Sequence, residues 1–308
     1  MSIKKYLFQP KEVLKVICAK GYFDFLSDRT YLKLIYWIRT GNVLNLKNPQ
    51  TFNEKLQWLK LYDRRPEYTM LVDKYEVKNY VAEHIGEGYI IPTLGVWDKF
   101  EDIDFDLLPN QFVMKCTHDS GGLVIVRDKS KMDIVAARKK INASLNKNYF
   151  WGGREWPYKN VKPRIIAEQY LENSSTDLRD YKFFSFNGEP QFTYVSEGLE
   201  DHTTAKISFY DFDGKEMEFH RTDYAQFGSQ IEFPSNMDEM RRLSAELAKI
   251  INCPFIRTDF YSVDNKVFFS EITFFPCSGM IPFEPAEWDK KLGKRIKLPK
   301  SNRVLSKI

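Results

Sequence analysis

The chain has 308 residues, 43% hydrophobic and 29% charged, with a net charge of +4. That length allows two lobes of ordinary domain size, and the balance excludes a disordered chain. The weak, scattered positive charge argues against nucleic acid as a partner and suits a small anionic ligand or an anionic saccharide.

Residues up to about Arg65 read as helices joined by polar turns, from the spacing of their apolar side chains. Lys11 to Lys20 reads as a basic amphipathic helix with Val13, Leu14 and Ile17 on one side; packing against the body is expected ahead of docking on a membrane surface. Thr51 and Glu54 form a capping-box pattern before Leu56, Trp58, Leu59 and Leu61. Thr69 to Ile85 reads as one helix, stopped by Gly86, with Lys74 and Lys78 on a shared and ordinarily solvated face. From Tyr89 the pattern changes to strands. Phe112 to Cys116 is an apolar strand interrupted by Lys115; His118 to Gly122 is a polar turn; Leu123 to Arg127 returns as a strand.

Lys131 to Leu145 reads as a helix, followed by a loop rich in aromatics. There Trp151 and Trp156 stacking on a sugar ring, with Arg154 and Glu155 bonding its hydroxyls, competes evenly with plain packing over the sheet. Strands follow at Arg164 to Leu171, Tyr181 to Phe186, Gln191 to Ser196 and Ala205 to Phe212, with a turn at Asn187-Gly188. Asp238 to Ile251 is a helix, and Phe255 to Tyr261 with Val267 to Ile272 forms a hairpin. Blocks of strands with helices between them indicate an α+β fold. Cys18, Cys116, Cys253 and Cys277 are too scattered for a metal knuckle or a disulfide framework, and no run reaches the ~20 apolar residues of a membrane span.

Two places are candidates for chemistry, each against a plain structural reading: an edge lysine with an ordinary glycine turn, and a solvated hairpin. Lys115 in an apolar strand needs a partner for its charge, and Ser120-Gly121-Gly122 just beyond it offers a hydroxyl and two glycines whose backbone N–H groups can close over phosphate oxygens. Near the end, Arg257 and Asp259 share a strand face. With a three-residue turn, Asp264-Asn265-Lys266, Asp259 lies opposite Glu271 and Arg257 opposite Thr273; a two-residue turn puts the carboxylates on opposite faces. Facing carboxylates repel, which raises the pKa of one of them unless a cation such as Mg²⁺ sits between them.

In order along the chain these pieces resemble the ATP-grasp superfamily, specifically its TupA-like (teichuronopeptide biosynthesis-like) branch, from about Thr51 to about Lys294. The resemblance implies two α+β lobes gripping ATP behind an N-terminal helical region, with bounds at 1–68, 69–164 and 165–308. It implies ATP contacts from Lys74, Lys115, the loop Ser120, Gly121 and Gly122, the adenine hinge Glu168, Gln169, Tyr170 and Leu171, then Asp180 and Lys182, and Lys206 as a further phosphate lysine. Asp259, Glu271 and Thr273 take the places of the magnesium ligands, Thr273 standing where many such ligases have Asn. Ser278-Gly279 resembles the small-residue turn that admits an acceptor.

The implied activity is an ADP-forming carboxylate–amine ligation through an acyl phosphate, with Lys115 and Arg257 stabilising the transferring phosphoryl group. The implied substrates are a uronic-acid saccharide and an amino acid or amine in bacterial cell-surface polysaccharide synthesis, in the cytoplasm or at the inner face of the membrane beside membrane-bound machinery. A non-catalytic nucleotide-binding subunit and a glycosyltransferase are the competing readings. Asp102-Ile103-Asp104 has the letters of a glycosyltransferase DxD motif but lies in a loop.

Overall fold

The computed structural model describes residues 10–174, 178–199, 203–228 and 230–299. Helices α1 (Pro10–Ala19) and α2 (Asp28–Thr40) enclose a small core with Tyr31, Leu32, Ile35 and Tyr36. α3 (Phe52–Tyr62) starts at the expected capping box: Thr51 Oγ1 accepts from Glu54 N, and the Glu54 carboxylate accepts from Thr51 N. The single helix expected from Thr69 to Ile85 is two, α4 (Glu67–Val72) and α5 (Glu76–Ile85). Asp73 makes the break, because its Oδ1 accepts from the N–H groups of Tyr75 (2.9 Å) and Glu76 (3.3 Å) and so caps a new helix.

The strands form two main sheets. β1 (Thr93–Trp97), β2 (Phe112–Cys116), β3 (Leu123–Val126) and β4 (Ile165–Gln169) make a four-stranded sheet in the order β1-β4-β2-β3. α6 (Ile134–Leu145) packs Ala137 and Ile141 on it, and the short α7 (Phe150–Gly153) follows. The segment 165–169 was expected to open the second lobe. Instead β4 is hydrogen-bonded between β1 and β2, so it belongs to the first sheet.

β5 (Arg179–Phe186), β6 (Glu189–Glu197), β7 (Lys206–Tyr210), β9 (Phe255–Val263) and β10 (Lys266–Thr273) form the second sheet, in the order β10-β9-β5-β6-β7. β8 (His220–Arg221) pairs with β11 (Phe283–Glu284) beside it. α8 (Met237–Ile251) and α3 bury their apolar faces in the core of this sheet, and α9 (Glu287–Arg295) adds Leu292. The high aromatic content is mostly this core: Phe52 meets Phe255 edge-on at 4.9 Å, and Phe184 stacks on Phe192 at 4.9 Å.

The β9–β10 turn differs from expectation. It has two residues, Asp264 and Asn265, both at positive φ (46° and 65°). A plain two-residue hairpin would set Asp259 and Glu271 on opposite faces. A bulge between Phe269 and Glu271 adds one residue, Ser270, to β10 and restores the pairing Asp259↔Glu271 and Arg257↔Thr273.

Candidate functional site

On the first sheet, Val113 of β2 pairs with Glu168 of β4, and Lys115 lies two residues along on the same face. Lys115 Nζ is 2.5 Å from Glu168 Oε2, and Lys78 Nζ is 2.6 Å from Oε1. Lys78 also donates to Ile91 O and Thr93 Oγ1. The face carrying Lys78 is therefore buried, not solvated. The break at Asp73 turns Lys74 inward: its backbone N–H donates to Thr117 O and its Nζ to Asp119 O. Burial raises the Glu168 pKa, but Lys115 and Lys78 outweigh it and the carboxyl ends below its ordinary value. Burial lowers Lys74 and Lys78, opposed by Glu271 for the first and by Glu168 for the second.

Glu168, expected in the adenine hinge, has a lysine on each of its two oxygens. Gln169 is exposed, Tyr170 hydrogen-bonds Arg127 Nε through its hydroxyl at 3.1 Å, and Leu171 is buried. Ser120 and Gly121 are exposed at the loop tip, with Ser120 Oγ 3.4 Å from Tyr149 Oη. Gly122 serves packing: a Cβ there would lie 2.5 Å from Ser144 Oγ and 2.8 Å from Cys116 Sγ. Asp119 ties the loop down by accepting from Gly122 N and Ser144 Oγ.

On the second sheet the charged side chains form a ladder. Arg257 donates Nε to Asp259 Oδ1 (2.7 Å) and Nη2 to both Asp259 Oδ2 (2.6 Å) and Glu271 Oε1 (2.9 Å). Lys182 Nζ is 2.9 Å from Asp259 and 2.9 Å from Asp180. The cation between the two facing carboxylates is thus the chain's own Arg257. The expected upward shift does not occur at Glu271. Burial pushes it up, but Lys74, Arg257, Lys182 and Lys115 hold it down to about 2. Burial raises Asp180, with Lys182 opposing. Asp180 and Lys182, expected at ribose and phosphate, bond each other, while the second oxygen of Asp180 is buried without a hydrogen-bond partner among the described residues.

Lys74 and Lys115 stand on the first sheet's side and Glu271 on the second, and their charges act on one another, so the two clusters lie near each other. Among the described residues no group of three His, Cys, Asp or Glu side chains forms a metal cage. The donor set still fits Mg²⁺, which uses one or two carboxylates and takes its other oxygens from phosphate and water. The Glu271 side chain is 34% exposed, ionised, and has a second oxygen without a hydrogen-bond partner among the described residues. Asp259, with a side chain 0% exposed and both oxygens in ion pairs, would have to give up a cation to bind. Thr273 Oγ1 reaches Glu271 Oε1 at 3.4 Å.

Other expected residues lie elsewhere. Lys206 is exposed on β7, the edge strand farthest from β10. The aromatic loop is packing: Arg154 is fully buried against Tyr31 and Trp151, Glu155 accepts from Ser278 Oγ, and Trp156 lies against Tyr68, leaving Trp151 as its exposed tryptophan. Sequence reasoning missed Lys78 and Lys60 as buried polar anchors, since lysine in a helix reads as surface, and Asp119, since an acidic residue in a polar turn does too. A groove of about 690 Å³ runs between β3 and α6, and none of the clustered charges lines it.

No curated protein matches the chain in sequence. Among solved structures, D-alanine–D-alanine ligase from Helicobacter pylori is 16% identical, covering 80% of this chain and 69% of that one, with a TM-score of 0.46. The ATP complex of the Bacillus anthracis D-alanine–D-alanine ligase is 18% identical, covering 67% and 55%, TM-score 0.39. Phosphoribosylamine–glycine ligase from Thermotoga maritima is 12% identical, covering 67% and 48%, TM-score 0.40. The chain thus spans about half the length of the last two. With identities and TM-scores this low, the family rests on the model of the TupA-like ATP-grasp proteins, which matches residues 54–297. The chain belongs to the TupA-like ATP-grasp family.

Proposed function

We propose that the chain is an ADP-forming carboxylate–amine ligase that uses Mg-ATP. The observation that supports this best is the nearness of opposites from the two sheets: the lysines Lys74 and Lys115 act on a part-exposed, ionised Glu271. In this reading one lobe comprises residues 69–169, enlarged by β4 relative to the sequence boundary, and the other carries the second sheet.

Lys74, Lys115 and the N–H groups around Ser120 and Gly121 would hold phosphate oxygens, with Glu168 fixing Lys115 in place. Glu271, with Asp259 behind it, would hold the magnesium, whose chemistry is to neutralise charge on the β- and γ-phosphates. Arg257 is fixed by Asp259 and Glu271, so its guanidinium is already oriented when charge develops on the transferring phosphoryl group. A substrate carboxylate oxygen attacks the γ-phosphorus and the bond to the bridging oxygen of ADP breaks. An amine nitrogen then attacks the carbonyl carbon, phosphate leaves and the amine proton is lost. The substrates of this reading are a uronic-acid carboxylate and an amino acid or amine, in cell-surface polysaccharide assembly, as the resemblance in sequence implies. No helix among the described residues is long and apolar enough to cross a membrane.

Phosphorus NMR of reactions pairing uronic-acid saccharides with amino acids tests the chemistry. ADP and phosphate are expected; AMP and pyrophosphate overturn the acyl-phosphate route. Mg-ATP binding without any ADP release across the panel favours a non-catalytic nucleotide-binding subunit.

A further inference from the structure

Three stretches of chain outside the two sheets meet beyond the end of β10. α3 brings Gln57 and Lys60, the end of α7 brings Gly153 and the segment after it Glu155, and the turn after Thr273 brings Ser278 and Gly279. Cys277, Ser278 and Gly279 have φ of 51°, 54° and 60°. Left-handed backbone is costly for residues other than glycine, and a run of it persists only where its surroundings hold it.

The holding groups are specific. Gln57 Nε2 donates to Ser278 O (3.0 Å) and Gly279 O (2.7 Å). Lys60 Nζ donates to Ser278 O (2.8 Å), Gly153 O (2.7 Å) and Gln57 Oε1 (3.1 Å), which uses all three of its N–H bonds. Ser278 Oγ donates to Glu155 Oε1 at 2.5 Å. The packing leaves no slack: a Cβ on Gly153 would lie 2.3 Å from Ser278 Oγ, and one on Gly279 2.6 Å from Gln57 Nε2. Lys60 and Glu155 are both buried and bear on each other, with Arg39 acting on both and Arg257 also on Glu155. Buried charge is unfavourable unless well paired and hydrogen-bonded. Here it is committed to a turn whose one exposed residue, Cys277, stands within the fields of Arg221 and Arg257.

We propose that Gln57, Lys60 and Glu155 are positioning residues that hold the Pro276–Gly279 turn in its left-handed shape, so that the amine acceptor is presented to the activated carboxylate there. The N-terminal helical region is then part of the acceptor side of the site. This rests on the ligase reading above, but the labelling arm of its test does not.

Cys277 is exposed while Cys18, Cys116 and Cys253 are buried, so N-ethylmaleimide labelling followed by intact mass reports on the turn, with Cys277→Ala as the blank. Lys60→Met keeps the side-chain volume and removes the donors. The expected result is a labelling rate changed by about fivefold or more, the factor that a 1 kcal/mol shift in a local equilibrium gives. The Mg-ATP-induced rise in Tm should persist, and ADP released per hydroxamate formed with hydroxylamine should increase. Ser278→Gly, which suits the left-handed backbone and removes only the bond to Glu155, should shift labelling less in the same direction; it decides the matter if Lys60→Met does not fold. Unchanged labelling in the folded variants overturns the proposal. Loss of the Mg-ATP shift in the parent protein would instead overturn the nucleotide reading, and the labelling comparison would stand.

Discussion

The two charged clusters that lie near each other are built on opposite plans. On the first sheet's side three ammonium groups, Lys74, Lys78 and Lys115, meet two carboxylates, Glu168 and Asp119. On the second, Arg257 and Lys182 serve three carboxylates, Asp180, Asp259 and Glu271. An excess of fixed positive charge suits phosphate; an excess of carboxylate suits a cation. The second cluster also divides internally: Asp259 is sealed and fully engaged, whereas Glu271 is open.

That division gives the largest expected effect. Asp259→Asn leaves Arg257 and Lys182 without their shared buried partner and should cost about 3 kcal/mol or more of stability in urea unfolding. Glu271→Gln, at a part-exposed position where Arg257 keeps Asp259 as a partner, should cost clearly less than Asp259→Asn. Its ADP release should nevertheless fall by about a hundredfold or more, because charge stabilisation in the site is lost. Equal destabilisation by the two changes would erase the distinction between clamp and ligand.

On the first sheet, Lys115→Ala should weaken Mg-ATP binding by about ten- to hundredfold, the worth of a charge-assisted hydrogen bond. The readout is the ligand-induced shift in Tm. Lys206→Ala, on the far edge strand, should leave that shift unchanged; an equal loss in both would mean that the cluster is not the phosphate side.

The smallest effect is with pH. The folded-state pKa of Glu168 is depressed, so its contribution to stability is present above its unfolded value, about 4.3, and is lost as pH falls through the lower folded value. Below about pH 4.3 the parent should therefore lose stability more steeply than Glu168→Gln. Parallel curves would show that the lysines do not hold Glu168 ionised.

Local signals in the sequence proved legible where the chemistry is local. Thr51 and Glu54 announced the start of α3, and Asn187-Gly188 marked a tight turn with both residues at positive φ. The pairing of Asp259 with Glu271 was reached through the wrong turn, because a bulge at a serine leaves no distinct pattern. The sheet that β4 joins was not legible, since an apolar strand does not say which neighbours it bonds. Nor was the inward turn of Lys74, which depends on Asp73 capping α5 in place of a continuing helix. Lys60 fits an exposed helical position by composition, and only the carbonyls of Gly153 and Ser278, distant in sequence, explain its burial.

The bulge at Ser270 also governs which insertions and deletions this hairpin can survive. Ser270 is the one unpaired residue of β10, so deleting it would leave a plain two-residue hairpin in which Glu271 still stands opposite Asp259. Deleting Phe269 instead would also keep Glu271 in place, but Ser270 would take the buried position opposite Phe260. Length variation in this strand should therefore be tolerated at Ser270 and not at Phe269.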